Sequence, residues 1–169
     1  IFMASKKLDD FSILSPISSD VNFPNYGTIE EKKNYEEKNL PFKVKYVDGF
    51  SMLLNKKKFK NNNYFDENFF MYWENNDICI RVINDGGSVF IVPKAKIKHL
   101  GAKAVDPKFF KEIELSRNWH WMWSTFNYHK KYKGFFISLL IILPKLSSAI
   151  IKVLIYSIIF NKEKKKIYC

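Results

Sequence analysis

Two carboxylates and a guanidinium, Glu74, Asp77 and Arg81, stand at i, i+3 and i+7. On a helix they share one face, distinct from the apolar one. Phe69, Phe70, Tyr72 and Trp73 come directly before them, and Asn75 and Asn76 lie between. Two accounts fit this cluster. In one, the aromatics wall a cleft and the carboxylates at its lip abstract a proton. In the other, acids at a helix N-terminus complement the macrodipole, amides cap it, and an Asp–Arg pair adds about 0.3–0.5 kcal/mol. The second account explains the acids and leaves the aromatics unexplained. His99 poses a similar choice. A lone histidine on an apolar strand face is an ordinary core residue, and becomes a ligand only if the fold brings it to the acids. His120 and His129 have no acidic neighbours in sequence and read as structural.

The elements that would position these groups show in the periodicity. Ile78, Cys79, Val82 and Ile83 predict one face of a short helix over 76–85, stopped by Gly86-Gly87. "SVFIVP" (88–93) predicts a strand ended by Pro93, and Ala95, Ile97 and His99 alternate with Lys96 and Lys98. "KVKYVDGFSMLLNKKKF" (43–59) reads as a strand, a tight turn at Asp48-Gly49, and a second strand or helix start. "FSILSPIS" (11–18) is a short apolar run ending in a loop, and the polar residues 22–41, with Pro24 and Gly27, read as a surface excursion. Residues 108–132 predict a long helix with Leu115, Trp119, Met122 and Phe126 on one stripe.

The 169 residues suffice for one domain, or one domain and a tail, and 47% hydrophobic content predicts a folded chain. The net charge is +11, yet among 28 basic residues only Arg81 and Arg117 are arginines. Base readout leans on guanidinium forks, and no zinc-finger, RNP or KH spacing is present, so no nucleic-acid partner is expected. Lysine-rich basicity suits an anionic membrane surface or a phosphorylated substrate, or reflects composition alone. Cys79 and Cys169 have no metal spacing, and Cys79 sits among apolar neighbours as a buried thiol.

The ordered set "VDGFSMLLNKKKF", "FDENFFMYWENNDICIR", a glycine turn, a strand ending in proline and "HLG" resembles the second half of the catalytic domain of family-two inverting glycosyltransferases. The likeness is to rhamnosyltransferase-like and galactofuranosyltransferase-like members and runs from roughly Ser15 to Lys133. "SRNWHWMWSTFNYHKKY" is similar to their C-terminal helix. The resemblance implies an α/β fold, part of a GT-A domain, with a mixed sheet and flanking helices, followed by a hydrophobic helical tail. It implies sugar transfer with inversion from a nucleotide-diphosphate sugar donor to a glycan or lipid-linked acceptor, in cell-surface polysaccharide biosynthesis. The base maps to the pair Glu74-Asn75. An amide cannot accept a proton at neutral pH, so Glu74 is favoured over Asp77 for that role. Gly49, Trp73, Asn75 and Arg81 map to substrate-binding positions, and His99 to a ligand of a divalent metal, Mg or Mn. The family's nucleotide-binding strands and DxD ligands belong to an N-terminal half that this stretch lacks, and Asp9-Asp10 does not match that motif. Residues 1–133 then form the acceptor-side half, inactive alone, whose sheet should carry an unpaired edge and exposed apolar surface. The competing reading is a non-catalytic, membrane-associated module that binds glycan or a partner.

Residues 135–160 are long enough to span a bilayer, which takes about 20 apolar residues. Ser138, Lys145 and Lys152 recur every seven residues as a polar stripe, which suits an interfacial helix. Pro144 predicts a break into two short helices or a re-entrant bend. Basic flanks, "HKKYK" and "KEKKK", predict that both ends stay at the cytoplasmic face of the inner or plasma membrane, with 134–169 lying on it rather than crossing.

Overall fold

The structure, a computed structural model, describes residues 1–8, 10–20, 22–28, 40–59, 63–100, 106–160 and 164–165. Asp9, most of the polar excursion, Gly101 and most of the basic tail lie outside these residues. The chain divides into two compact units: Ile1–Asp66 with Glu74–Gly101, and Glu67–Trp73 with Ala102–Cys169. The first is α/β and the second is helical. The long helix after residue 109 falls with the apolar tail helix in the second unit.

In the α/β unit, a four-residue helix α1 (Phe2–Ser5) precedes strands β1 (Ile13–Ser18), β2 (Tyr26–Thr28), β3 (Phe42–Val47) and β4 (Leu53–Leu54). Helix α2 (Glu74–Asn84) and strand β5 (Val89–Ile97) follow. The strands form one mixed sheet in the order β2-β3-β5-β1-β4, with β1 and β5 parallel and the other pairs antiparallel. Among the described residues both edge strands are very short, three residues in β2 and two in β4, and so short an edge is a poor template for edge-to-edge pairing.

β1 lies inside the sheet with Ile13 to Pro16 buried, where its apolar run was expected only to lead into a loop. β5 also runs on through Pro93 instead of ending there. The ladder accommodates both prolines at one place. Pro16 pairs with Val92 and Ile17 with Lys96, so the register slips beside Pro16 and Pro93. Proline lacks an amide donor and fits a strand where the ladder is already interrupted. Asn25 repairs the interruption. It is buried; its Nδ2 donates to Pro16 O (2.9 Å) and Ser15 Oγ (3.2 Å), and its Oδ1 accepts from Ser18 N (2.7 Å). In β3, a register slip opposite Gly27/Thr28 puts Lys45 and Tyr46 both outward and returns Val47 to the core.

One face of the sheet packs Ile13, Val44, Val47, Val89 and Ile91 against Ile78, Cys79 and Val82 of α2. On the other face Phe11, Leu14 and Val92 meet, among the described residues, Ile1, Ala4, Leu8 and neighbouring strand residues, a thin cover. α2 ends as expected. Gly86 takes φ +82°, its N–H donates to Ile83 O, and Gly87 N–H donates to Val82 O, the paired bonds of a Schellman cap. A Cβ on Gly87 would fall 2.3 Å from Ser12 Oγ, so this close approach of helix end to β1 excludes any side chain.

In the helical unit, α3 (Phe110–Lys133) and α4 (Phe135–Ile158) are joined by Gly134 at φ +86°. Phe126 and Phe135 meet edge to face, and Trp121 of α3 lies under Lys145 of α4, so the pair is antiparallel. α4 is one continuous helix with Pro144 inside it, in place of the predicted break. A proline removes one rung and crowds another, and the rungs on either side carry the helix on. The stripe on α3 also differs from its expected position. The buried residues are Ser124 and Thr125, while Trp119 is 66% exposed. Small hydroxylic residues let Met71 and Trp73 approach the helix closely, which bulky Leu115, Met122 and Phe126 would not.

Candidate functional site

The opening cluster is split between the units. Phe69 to Trp73 belong with the helices, and Glu74 onward with the sheet. The abrupt change from aromatic to polar is where the chain passes from one body to the other.

In the α/β unit, the turn after β3 meets the N-terminus of α2. Asn75 Nδ2 donates to Val47 O at 2.8 Å, a clamp that takes up its amide. Glu74, the first residue of α2, lays its carboxylate against Gly49: a Cβ there would sit 3.4 Å from Glu74 Oε1. Its other oxygen, Oε2, is buried with no hydrogen-bond partner among the described residues. Buried polar atoms are nearly always paired, so an unpaired carboxylate oxygen sets Glu74 apart. One residue further along the same turn, Phe50 stacks on His99, with ring centroids 4.4 Å apart and planes within 3°. Asp48, between Val47 and Gly49, is held above the usual carboxylate range by burial, with neighbouring His99 opposing the rise. Residues 48–50 therefore touch Glu74 on one side and His99 on the other. His99 is exposed and lies beyond the end of β5, so it is not a satisfied core histidine.

Asp77 and Arg81 do other work. Asp77 is fully buried and accepts from Arg81 Nε at 2.8 Å, although the sequence pattern put it on the polar face. Arg81 also donates to the backbone carbonyls of Asn63 and Tyr64, clipping that loop to the helix. An enclosed carboxylate with its cation in contact has no path to a substrate hydroxyl. Of the residues singled out by sequence, Glu74, Gly49, Asn75 and His99 gather around one turn, and Asp77 and Arg81 form an inner ion pair. Asp48 was missed because an Asp-Gly dipeptide reads as turn chemistry. Cys79 is buried beneath this site, and desolvation pushes its thiol up to about 11.

Trp73 lies in the helical unit. Its Nε1 donates to Thr125 Oγ1 (2.9 Å) and its ring stacks on Tyr128 at 4.3 Å. Tyr72 and Trp73 both adopt φ +68°. Two successive non-glycine residues in this region each cost about 1–3 kcal/mol and persist only where surroundings over-determine them. α3 supplies that determination: Ser124 Oγ donates to Met71 O (2.7 Å) and Arg117 Nε donates to the Tyr72 hydroxyl (2.8 Å). His129 meets the Trp73 ring edge to face, and burial holds its imidazole below its usual range, with Lys133 and Lys145 adding to the effect.

Among the described residues, no group of three or more His, Cys, Asp or Glu is placed to hold a metal ion. Asp48 and His99, close enough to interact electrostatically, bring one carboxylate and one imidazole to this turn. No protein-family model, curated protein or solved structure matches this chain.

Proposed function

We propose that this chain is the acceptor-side part of a membrane-associated inverting glycosyltransferase of GT-A type. The observation that carries the reading is the Glu74 carboxylate, poised at the start of α2 against a side-chain-free residue with one buried oxygen unpaired. Glu74 is the base that takes the acceptor hydroxyl proton, and Gly49 leaves the space in which that hydroxyl sits. Asn75 holds the turn rather than reacting, which accounts for an amide where the resembled family carries an acid. His99, beside Asp48, would hold a divalent ion whose charge offsets that of the departing diphosphate. The nucleotide-binding strands and DxD carboxylates come from another polypeptide segment in this reading. The test is label transfer from UDP-, GDP- and dTDP-sugars to membrane acceptors by the chain joined to that segment. Transfer with inversion supports the reading, and no transfer from any donor sinks it.

The membrane part rests on α4, which is long and apolar enough to cross a bilayer and has only 11% of its most apolar window buried. Two residues of its polar stripe meet α3: Ser138 Oγ donates to Phe126 O at 2.7 Å, and the Lys145 ammonium sits 3.4 Å from the centre of the Trp121 ring. Much of the rest of α4 is exposed apolar surface, including Phe136, Leu140, Ile150, Leu154 and Ile158. α3 carries Lys111, Glu112, Glu114 and Arg117, charges too costly for hydrocarbon. It also exposes Trp119 and Trp123 one turn apart, side chains that favour the headgroup level. A hairpin of this kind lies in the interface plane at the cytoplasmic face, with α4 sunk into the acyl boundary. A C-terminal tag in intact cells should resist an impermeant reagent until lysis, and labelling from outside would show a crossing helix.

A further inference from the structure

We infer that the helical unit carries its own saccharide-binding site, formed by Tyr72 and one face of α3, for an uncharged sugar ring of the glycan acceptor. The inference rests on the glycosyltransferase reading for the word acceptor, and on geometry for the site itself. Residues 110, 113, 114, 117, 118 and 121 fall on a single face of α3 and, with Tyr72, line a concavity of about 640 Å³. That volume suits a small organic ligand. Trp121 and Tyr72 bring aromatic rings to it, and Phe110 and Ile113 make the rest apolar. The Lys145 ammonium lies over the Trp121 ring, fixing that ring in place.

Three polar side chains converge there. Glu114 and Asn118 make no hydrogen bond among the described residues, and Arg117 uses only Nε, on the Tyr72 hydroxyl, leaving its two terminal nitrogens unengaged. A hydroxyl both donates and accepts, so a carboxylate, an amide and a guanidinium fork together match a polyol. One carboxylate balances one guanidinium, which disfavours a phosphate or a uronate in the same space. The flat rings suit the apolar C–H face of a pyranose. The second, independent observation is the left-handed backbone of Tyr72 and Trp73, both at φ +68°. Strained residues cluster at ligand clamps, and here the strain directs Tyr72 to the concavity, where Arg117 holds its hydroxyl.

The test is NMR of the full chain in detergent micelles, following the Trp121 indole N–H, assigned by Trp121→Phe. The probes are cellotriose, maltotriose and chitotriose, with UMP as a charged nucleotide control. We expect at least one trisaccharide to shift the Trp121 signal saturably and UMP to leave it unmoved. Asn118→Ala, at an exposed residue with no protein partner to lose, should weaken that binding at least tenfold with helicity unchanged. Arg117→Lys, which keeps the charge and removes the fork, should do the same. The proposal is overturned if no trisaccharide binds, if UMP alone binds, or if both variants bind as well as the parent. Binding is read without donor sugar, so its failure leaves transfer chemistry standing. Binding without transfer in the joined enzyme would remove the catalytic reading and keep the site.

Discussion

Glu74→Gln is expected to lower turnover about 10²–10⁴-fold, the usual contribution of a positioned general base. Glutamine keeps the length and planarity of the side chain, so it fits the same space beside Gly49. It loses the one property the role demands, an oxygen that takes a proton at neutral pH. Donor affinity should change little, because the carboxylate faces the acceptor hydroxyl, and the loss should appear in kcat with KM nearly unchanged. The comparison with Asp77→Asn decides between the two acids. Asp77 is fully buried on Arg81, so its amide variant should lower the yield of folded protein and spare turnover per folded molecule. A folded, soluble Asp77→Asn that is dead, beside a nearly normal Glu74→Gln, would transfer the base to Asp77.

The second large effect is on stability. Asp77→Ala is expected to destabilise the α/β unit by about 3–5 kcal/mol, the range for removing one partner of a buried ion pair. The lower end is expected, since the Arg81 side chain keeps 24% exposure and two backbone carbonyls as acceptors. Two compact units need not unfold together, so a whole-chain melt would blur the result. Cys79 provides a local reporter. It lies in the core beside Asp77 on α2, and its thiol, held up to about 11, reacts only when that core opens. In a Cys169→Ser background, labelling of Cys79 should accelerate at least a hundredfold in Asp77→Ala at equal pH. Acceleration of less than fivefold, a change below about 1 kcal/mol, would mean the pair is not holding α2. Arg81→Met in the Asp77→Ala background should recover part of the loss, because it removes the uncompensated charge.

Local signals sufficed for several elements. The apolar spacing and double glycine of α2 predicted both its extent and its stop, because a helix and its cap are decided within about ten residues. Alternation past Pro93 was legible for the same reason: Lys96 and Lys98 do face outward. The run of residues 108–132 was legible as a helix. The acids and His99 were expected together with Trp73 as a wall; Glu74 and His99 both flank residues 48–50, while Asp77 pairs with Arg81 and Trp73 packs within the helical unit. Contacts distant in sequence decided the rest. β1 is a strand because β5, more than seventy residues later, completes its hydrogen bonds and Asn25 covers the gap beside its proline. Asp77 turns inward because Arg81 is also needed by the loop at Asn63 and Tyr64, and a paired carboxylate can be buried where a lone one cannot. Ser138 and Lys145 of the α4 stripe meet α3, and the packed face of α3 is its serine and threonine, because close approach there depends on Met71 and Trp73. Hydrophobic period reports which residues could be buried. What lies against each face, and so which polar group is paired and which is left open for chemistry, is set by partners far along the chain.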